Sequence, residues 1–249
     1  MRCFMKQYQP QANCLSGKTI LITGAGSGIG KTLALQCAGF GATVILLGKT
    51  VKKLETVYDQ IEALDKQQAA IVALDLNDTT EQQYDELAEK IKRTYGKLDG
   101  LVHNASQLGA LGPFQQIEKS TWDEVIQTNV TAQFLLTKSL IPVLELAQYA
   151  TTIFTTSTVG NQGRAYWGVY AISKFATEGM MQTLADEYKD TSLRFNAINP
   201  GATRTAMRAS AYPAEDSSLL KTPEEIMPSY QYLLSDDSKG ITGQRINAQ

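Results

Sequence analysis

K-T-I-L-I-T-G-A-G-S-G-I-G-K-T-L-A-L-Q-C-A, from Lys18 to Ala38, reads as a short apolar strand, a glycine-rich turn and the opening of a helix. That order sets a helix N-terminus, whose first N–H groups lack partners within the helix, at the end of a strand. Gly24 permits the tight turn, Gly28 lets the backbone approach a phosphate, and Gly30 allows helix and strand to pack closely, with Ser27 and Ile29 between them. The unit is a candidate phosphate cradle. It predicts further strand–helix units on either side.

Working outward from it, strands are expected at 18–23, 43–48, 69–75, 99–103, 151–156 and 192–198, with a weaker G-Q-R-I-N strand near the end. Helical stretches alternate with them, which argues for an α/β fold: a doubly wound parallel sheet of about seven strands with helices on both faces. Three helix starts carry their own chemistry. Thr79 with Gln82 and Ser120 with Asp123 have capping-box spacing, and Thr222-Pro223-Glu224-Glu225 places proline and acids in a first turn. No repeat or linker-like run divides the chain, so the expected organisation is an N-terminal arm over 1–15 and a single domain over 16–249. Residues 202–221 fall outside the rhythm and are long enough for a functional loop.

Composition excludes several classes. Apolar residues make up 43% and charged residues 19% of the chain, ordinary globular usage. With 23 basic against 25 acidic residues the formal charge is −2, so no nucleic acid is expected as a partner. Cys3, Cys14 and Cys37 form no C-x-x-C pair, and His103 is the one histidine, so neither a disulfide framework nor a metal site is expected. The start lacks the apolar run of a secretory signal, and no stretch reaches the roughly 20 apolar residues of a membrane span. The expected location is the cytoplasm, with no membrane partner.

Two further places carry chemistry. About 20 positions past a glycine loop, an acidic residue would bond the ribose 2′-hydroxyl of a dinucleotide. Here Gly48-Lys49 stands there, leaving room and a positive charge for a 2′-phosphate, with Lys52 or Lys53 nearby; NADP is therefore expected over NAD. In Y-A-I-S-K, Tyr170 and Lys174 are four apart on a predicted helix and share one face. An adjacent ammonium favours a phenolate, so Lys174 is expected to lower the Tyr170 pKa and make proton exchange practicable. Ser157 ends the fifth strand, at the edge where open α/β sheets place ligands. Asn129, in Q-T-N-V-T, sits mid-helix against its propensity, which hints at a duty other than helix stability.

The T-G-x-x-x-G-x-G spacing resembles the short-chain dehydrogenase/reductase family. The likeness extends to Asp75, H-N-A-S from His103 to Ser106, Ser157, Tyr170, Lys174 and Pro200-Gly201, covering about residues 17 to 247. It implies a Rossmann-type NADP-dependent oxidoreductase, with hydride moving between nicotinamide and a small carbonyl or alcohol substrate and Tyr170 exchanging the proton. By the same resemblance Asp75 and Leu76 would lie beside adenine, and Asn104 and Ala105 would form the strand end near the adenosine. Lys174 would also bond the nicotinamide ribose, and Ser157 would orient the substrate oxygen. Asn129 would serve a water-linked proton relay to the lysine. Thr203, after Pro200-Gly201, would hold the nicotinamide carboxamide, and 202–221 would be a substrate lid. A homodimer or homotetramer is implied too. His103 and Ser106 depart from the family's N-N-A-G; the histidine reads as a strand-end packing residue, while Ser106 puts a side chain near the cofactor. Arg164, Arg204 and Arg208 read either as sites for an anionic or phosphopantetheine-bearing substrate or as solvated charge. Tyr166, Trp167 and Met207 read as pocket wall or as plain packing. A dinucleotide-binding sensor or scaffold with little turnover is the alternative function.

Overall fold

The computed structural model describes residues 5–64 and 68–249; Cys3 and the first residues of the arm lie outside the described residues. Each apolar run forms a strand: β1 (Thr19–Thr23), β2 (Thr43–Gly48), β3 (Ala69–Ala73), β4 (Gly100–His103), β5 (Ala150–Thr155), β6 (Leu193–Asn199) and β7 (Arg245–Asn247). They lie in one parallel sheet of order β3-β2-β1-β4-β5-β6-β7. The helices are α1 (Gly28–Gly39), α2 (Val51–Glu62), α3 (Glu81–Tyr95), α4 (Lys119–Ile126), α5 (Ala132–Leu144), α6 (Gly168–Glu187), α7 (Ala206–Ala211) and α8 (Met227–Leu234).

The period of two along each strand divides the core. Ile20, Ile22, Val44, Leu46, Val102, Ile153 and Ile198 pack with α1, α2 and α8. Their neighbours Leu21, Ile45, Leu47, Leu101, Phe154 and Ala197 pack with α3, α5 and α6 in a second cluster. Successive side chains point to opposite faces, so a strand buried on both sides must be apolar throughout, which is why the central runs read as continuous rather than alternating. The helices therefore cover both faces, as the strand–helix rhythm predicts.

Of the three predicted helix starts, one shifts by a residue, one does not form and one holds. The run T-T-E-Q-Q offers two Thr–Gln pairs, and the box forms at Thr80 and Gln83, not at Thr79 and Gln82. Thr79 is taken elsewhere: its hydroxyl donates to the Asp75 carbonyl at 2.5 Å, closing the turn after β3. Ser120 likewise lies inside α4, which begins after Glu118, and Asp123 pairs with Lys119 at 2.6 Å instead of capping. Thr222 does start a helical segment, its N–H donating to the Glu225 carboxylate at 2.7 Å.

Residues of the arm reach the core. Met5, Tyr8 and Leu15 are buried with α8 and the first strands, and the Tyr8 ring meets Tyr232 edge-on at 5.3 Å. Among the described residues no helix is long and apolar enough to cross a membrane, and no cluster of His, Cys, Asp or Glu could hold a metal. Leu15 is wholly buried, so Leu15→Ala is expected to cost about 2–5 kcal/mol through lost contacts and a cavity. Urea unfolding of the two proteins measures it; an unchanged midpoint would show that the arm contributes nothing to the core.

Candidate active site

Strand order reverses at β1, which lies between β2 and β4, and the chain leaves β1 directly into the glycine turn. A crevice is expected at such a switch point. A cleft of about 550 Å³ opens there, at the C-terminal ends of the strands.

Thr23, the last residue of β1, organises its floor. Its hydroxyl donates to the Val102 carbonyl at 3.3 Å and accepts the Asn104 and Ala105 N–H groups at 3.0 and 2.9 Å. Asn104 returns the contact, its Nδ2 donating to the Thr23 carbonyl at 3.2 Å. The ends of β1 and β4 are thus tied by side chains where ladder pairing stops. Gly24 turns away with φ +65° and Gly28 with φ +53°, both in the left-handed region that glycine enters without penalty. A Cβ on Gly30 would overlap the Gly24 carbonyl oxygen and stand 2.6 Å from Asn104 Nδ2. Only glycine lets α1 approach so closely. Ser27 makes no side-chain cap, so the first N–H groups of α1 face the cleft without a capping partner.

Nearly all the residues singled out from sequence line this one cleft. Gly24, Ser27, Gly28 and Ile29 form its floor, Gly48, Lys49, Asp75 and Leu76 one end, and Asn104 and Ala105 the middle. Ser157, Tyr170, Lys174, Pro200, Gly201 and Thr203 form the other end. Gly30 and Asn129 stand behind the wall. Lys49 is 68% exposed and only 3.8 Å from Asp75, a loose surface pair, while Lys53 also lines the cleft and Lys52 does not. His103 stacks on Phe154 at 4.9 Å and shares a 2.8 Å hydrogen bond with Thr137; burial pushes its pKa down to about 3, so it stays neutral.

Tyr170 and Lys174 emerge from one face of α6 into the cleft, the ammonium 5.5 Å from the phenol ring centre. The expected lowering of the Tyr170 pKa by Lys174 is not what the structure gives. Burial pushes the phenol up to about 12, and the groups that oppose burial are the hydroxyls of Ser157 and Ser106. Lys174 is itself pushed down to about 8 by burial, and its ammonium donates to the Thr155 carbonyl at 2.8 Å. Desolvation dominates because both groups are buried, and it penalises whichever form is charged.

Asn129 lies in a π-helical turn, Gln127–Thr131, and is fully buried. Its Oδ1 accepts the Gln107 N–H at 2.7 Å, and its Nδ2 donates to the Gln107 carbonyl at 2.9 Å and to Ser173 Oγ at 3.0 Å. Ser173 in turn donates to the Tyr170 carbonyl at 2.8 Å. The π-turn therefore fastens the 104–108 segment to α6, a use of such turns common at functional sites.

The three arginines all bond to the protein itself, Arg208 while lining the cleft and Arg164 and Arg204 while exposed. Arg204 donates to the carbonyls of Ser217, Ser218 and Leu220 at 2.8, 3.1 and 3.2 Å. Arg208 grips Glu215 at 2.5 and 2.6 Å and stacks on Tyr212 at 3.7 Å, while Arg164 donates to the Tyr212 hydroxyl at 2.7 Å. They bind residues 202–221 to one another and to the loop before α6. Trp167 and Met207 pack beside Tyr170, Val159 and Ala171, whereas Tyr166 stays exposed at φ +71°.

Sequence reading passed over one pair. Glu178, four residues beyond Lys174 on the same face of α6, is buried and accepts from Thr156 Oγ1 at 2.8 Å and Arg245 Nε at 2.6 Å. Its i+4 spacing from Lys174 was the available signal; its partner, in the weak last strand, had none.

The family pattern described as short chain dehydrogenase matches residues 18–216. The oxidoreductase YciK of Escherichia coli strain K12 is 49% identical, over 97% of this chain and 96% of its own. A short chain dehydrogenase from Shigella flexneri matches with TM-score 0.94 and 50% identity, over 98% of this chain and 95% of that one. A structure from Shigella flexneri 2a strain 301, complexed with NADP, matches with TM-score 0.92 and 49% identity, over 96% of this chain and all of that one, 100%.

Burial sets a pH signature for Lys174, whose pKa falls from 10.5 unfolded to about 8 folded. Below the folded value both states carry the proton and the cost of burial is full. Between the two values only the unfolded state carries it, so the folded state gains stability as pH rises. Relative to Lys174→Met, which cannot titrate, the wild type is expected to gain about 2 kcal/mol between about pH 7.5 and about pH 9.5. Parallel urea titrations at the two pH values measure this; a constant difference would mean that the amine is not desolvated.

Proposed function

Because the chain belongs to the short-chain dehydrogenase family, we propose that this oxidoreductase is NADP-dependent and acts on a carbonyl or alcohol substrate, with Tyr170 as the acid–base group. The observation that carries the reading is that Tyr170 and Lys174 open into the same cleft as the glycine turn. The NADP complex of the Shigella flexneri relative supports the choice of dinucleotide. Once bound, the nicotinamide supplies or accepts the hydride.

The residues fit such a group. The N–H groups of Ser27, Gly28, Ile29 and Gly30 would hold the pyrophosphate against the positive end of α1. Gly48 leaves room for a 2′-phosphate, and Lys49 and Lys53 provide charge for it. Asp75 and Leu76 would flank the adenine, and Asn104 and Ala105 the adenosine side of the floor. Pro200, Gly201 and Thr203 would receive the carboxamide end.

At the reacting end, Ser157 donates a hydrogen bond to the substrate oxygen and Tyr170 exchanges a proton with it. With its pKa pushed up to about 12, the phenol is protonated at neutral pH and is poised to give its proton to the oxygen of a carbonyl undergoing reduction. Oxidation of an alcohol needs the phenolate, which burial disfavours while the cleft holds only protein, so that direction depends on what binds beside the phenol. Lys174, which lines the same end of the cleft, would also bond the nicotinamide ribose. Asn129 holds the 104–108 segment to α6 and would serve a water-linked proton relay to Lys174.

Tyr170→Phe is expected to lower turnover by roughly 10²–10⁴-fold while NADPH fluorescence still reports binding, in assays with a panel of aldehydes, ketones and acyl thioesters. Full activity in that variant sinks the acid–base assignment, and wild-type binding without turnover across the panel favours a sensor. Lys49→Glu is expected to reduce the preference for NADPH over NADH by about tenfold or more, read as the ratio of kcat/KM for the two; an unchanged ratio removes Lys49 from the 2′-phosphate site.

A further inference from the structure

β7 and the residues that follow it alternate along their length. Ile246 and Ala248 are buried in the core, so Arg245, Asn247 and Gln249 share the other side. Each of the three holds a different part of the cleft wall. Arg245 Nη2 donates to the Ser157 carbonyl at 3.0 Å and Nη1 to Asn247 Oδ1 at 2.8 Å. Asn247 Oδ1 also accepts from Asn199 Nδ2 at 3.0 Å, and Asn199 Oδ1 accepts the Gly201 N–H at 3.1 Å. Gln249 Nε2 lies 2.6 Å from the Pro200 carbonyl, 3.1 Å from the Ala202 carbonyl and 3.3 Å from Thr203 Oγ1.

Two of those three partners are carbonyls, which only accept, so the nitrogen of the Gln249 amide must face the loop. The loop is shaped around it. Gly201 has φ +71°, and a Cβ there would stand 2.5 Å from Gln249 Cγ and 2.7 Å from Cδ. Glycine at 201 thus leaves the space that the glutamine side chain fills. Thr203, 3% exposed, completes the knot by donating to the Pro200 carbonyl at 3.2 Å. Pro200, Gly201 and Thr203 present their other side to the cleft.

We propose that Gln249 is a positioning residue, whose amide holds residues 200–203 in the shape that receives the nicotinamide end of the dinucleotide. The proposal rests on reading the cleft as an NADP site. Its reach is local: β6, which leads into this loop, lies four strands from β2, where the 2′-phosphate end is placed, a separation of about 19 Å at ordinary strand spacing. A change at Gln249 should therefore leave the adenosine end untouched.

Gln249→Met keeps the length and removes both donors. Isothermal titration calorimetry with NADP+ and with adenosine 2′,5′-bisphosphate, which lacks the nicotinamide half, separates the two ends. The variant is expected to bind NADP+ about tenfold to a hundredfold more weakly and the bisphosphate within about twofold of wild type. Equal weakening of both ligands, or of neither, overturns the proposal. Gln249→Asn, still polar but one methylene short, carries the same expectation should the methionine variant fail to fold. A wild-type protein that binds neither ligand overturns the NADP reading, and this proposal with it, before any variant is compared.

Discussion

The approach of α1 to the ends of β1 and β4 is the constraint on which the cleft depends. Gly30 has no room for a side chain between the Gly24 carbonyl and the Asn104 amide. Thr23 spends its hydroxyl on three backbone groups of β4 and the turn beyond it. With those contacts in place the first N–H groups of α1 face the crevice at the point where strand order reverses. The sheet supplies the platform; a few polar bonds at one strand end aim it.

Burial is the second organising influence, and it acts on charge. Tyr170 and Lys174 are both drawn toward their neutral forms, the phenol up to about 12 and the amine down to about 8. Neither group is activated by the other while the cleft holds only protein. The hydroxyls of Ser157 and Ser106 already oppose the effect of burial on the phenol.

The wall opposite α1 is held by groups that sequence reading assigned elsewhere or ignored. Arg204 and Arg208 are hydrogen-bonded within residues 202–221 and Arg164 to Tyr212 of that segment, so all three fasten loops. Glu178 and Arg245 brace the Ser157 end from below, with the acid buried and hydrogen-bonded twice. The pair is only partly buried, Arg245 being 21% and Glu178 6% exposed, and the second bond from Thr156 fixes the carboxylate.

Much of this was legible in the residues. The run from Lys18 to Ala38 determined strand, turn and helix, because apolar period and glycine chemistry are local properties. The four-residue spacing of Tyr170 and Lys174 determined that they share a face, because helix geometry is regular. The likeness of the T-G-x-x-x-G-x-G turn and the residues downstream determined the family. What tertiary structure decided were competitions between partners distant in the chain. Thr80 rather than Thr79 caps α3 because the turn after β3 claims the other hydroxyl. The phenol of Tyr170 rises instead of falling because the desolvation of a buried group depends on everything packed around it. Gln249 reaches beneath Gly201 only because β7 pairs with β6. Spacing shows which residues can meet; the packed sheet and its loops decide which of those meetings occur, since each donor, acceptor and cavity can be filled only once.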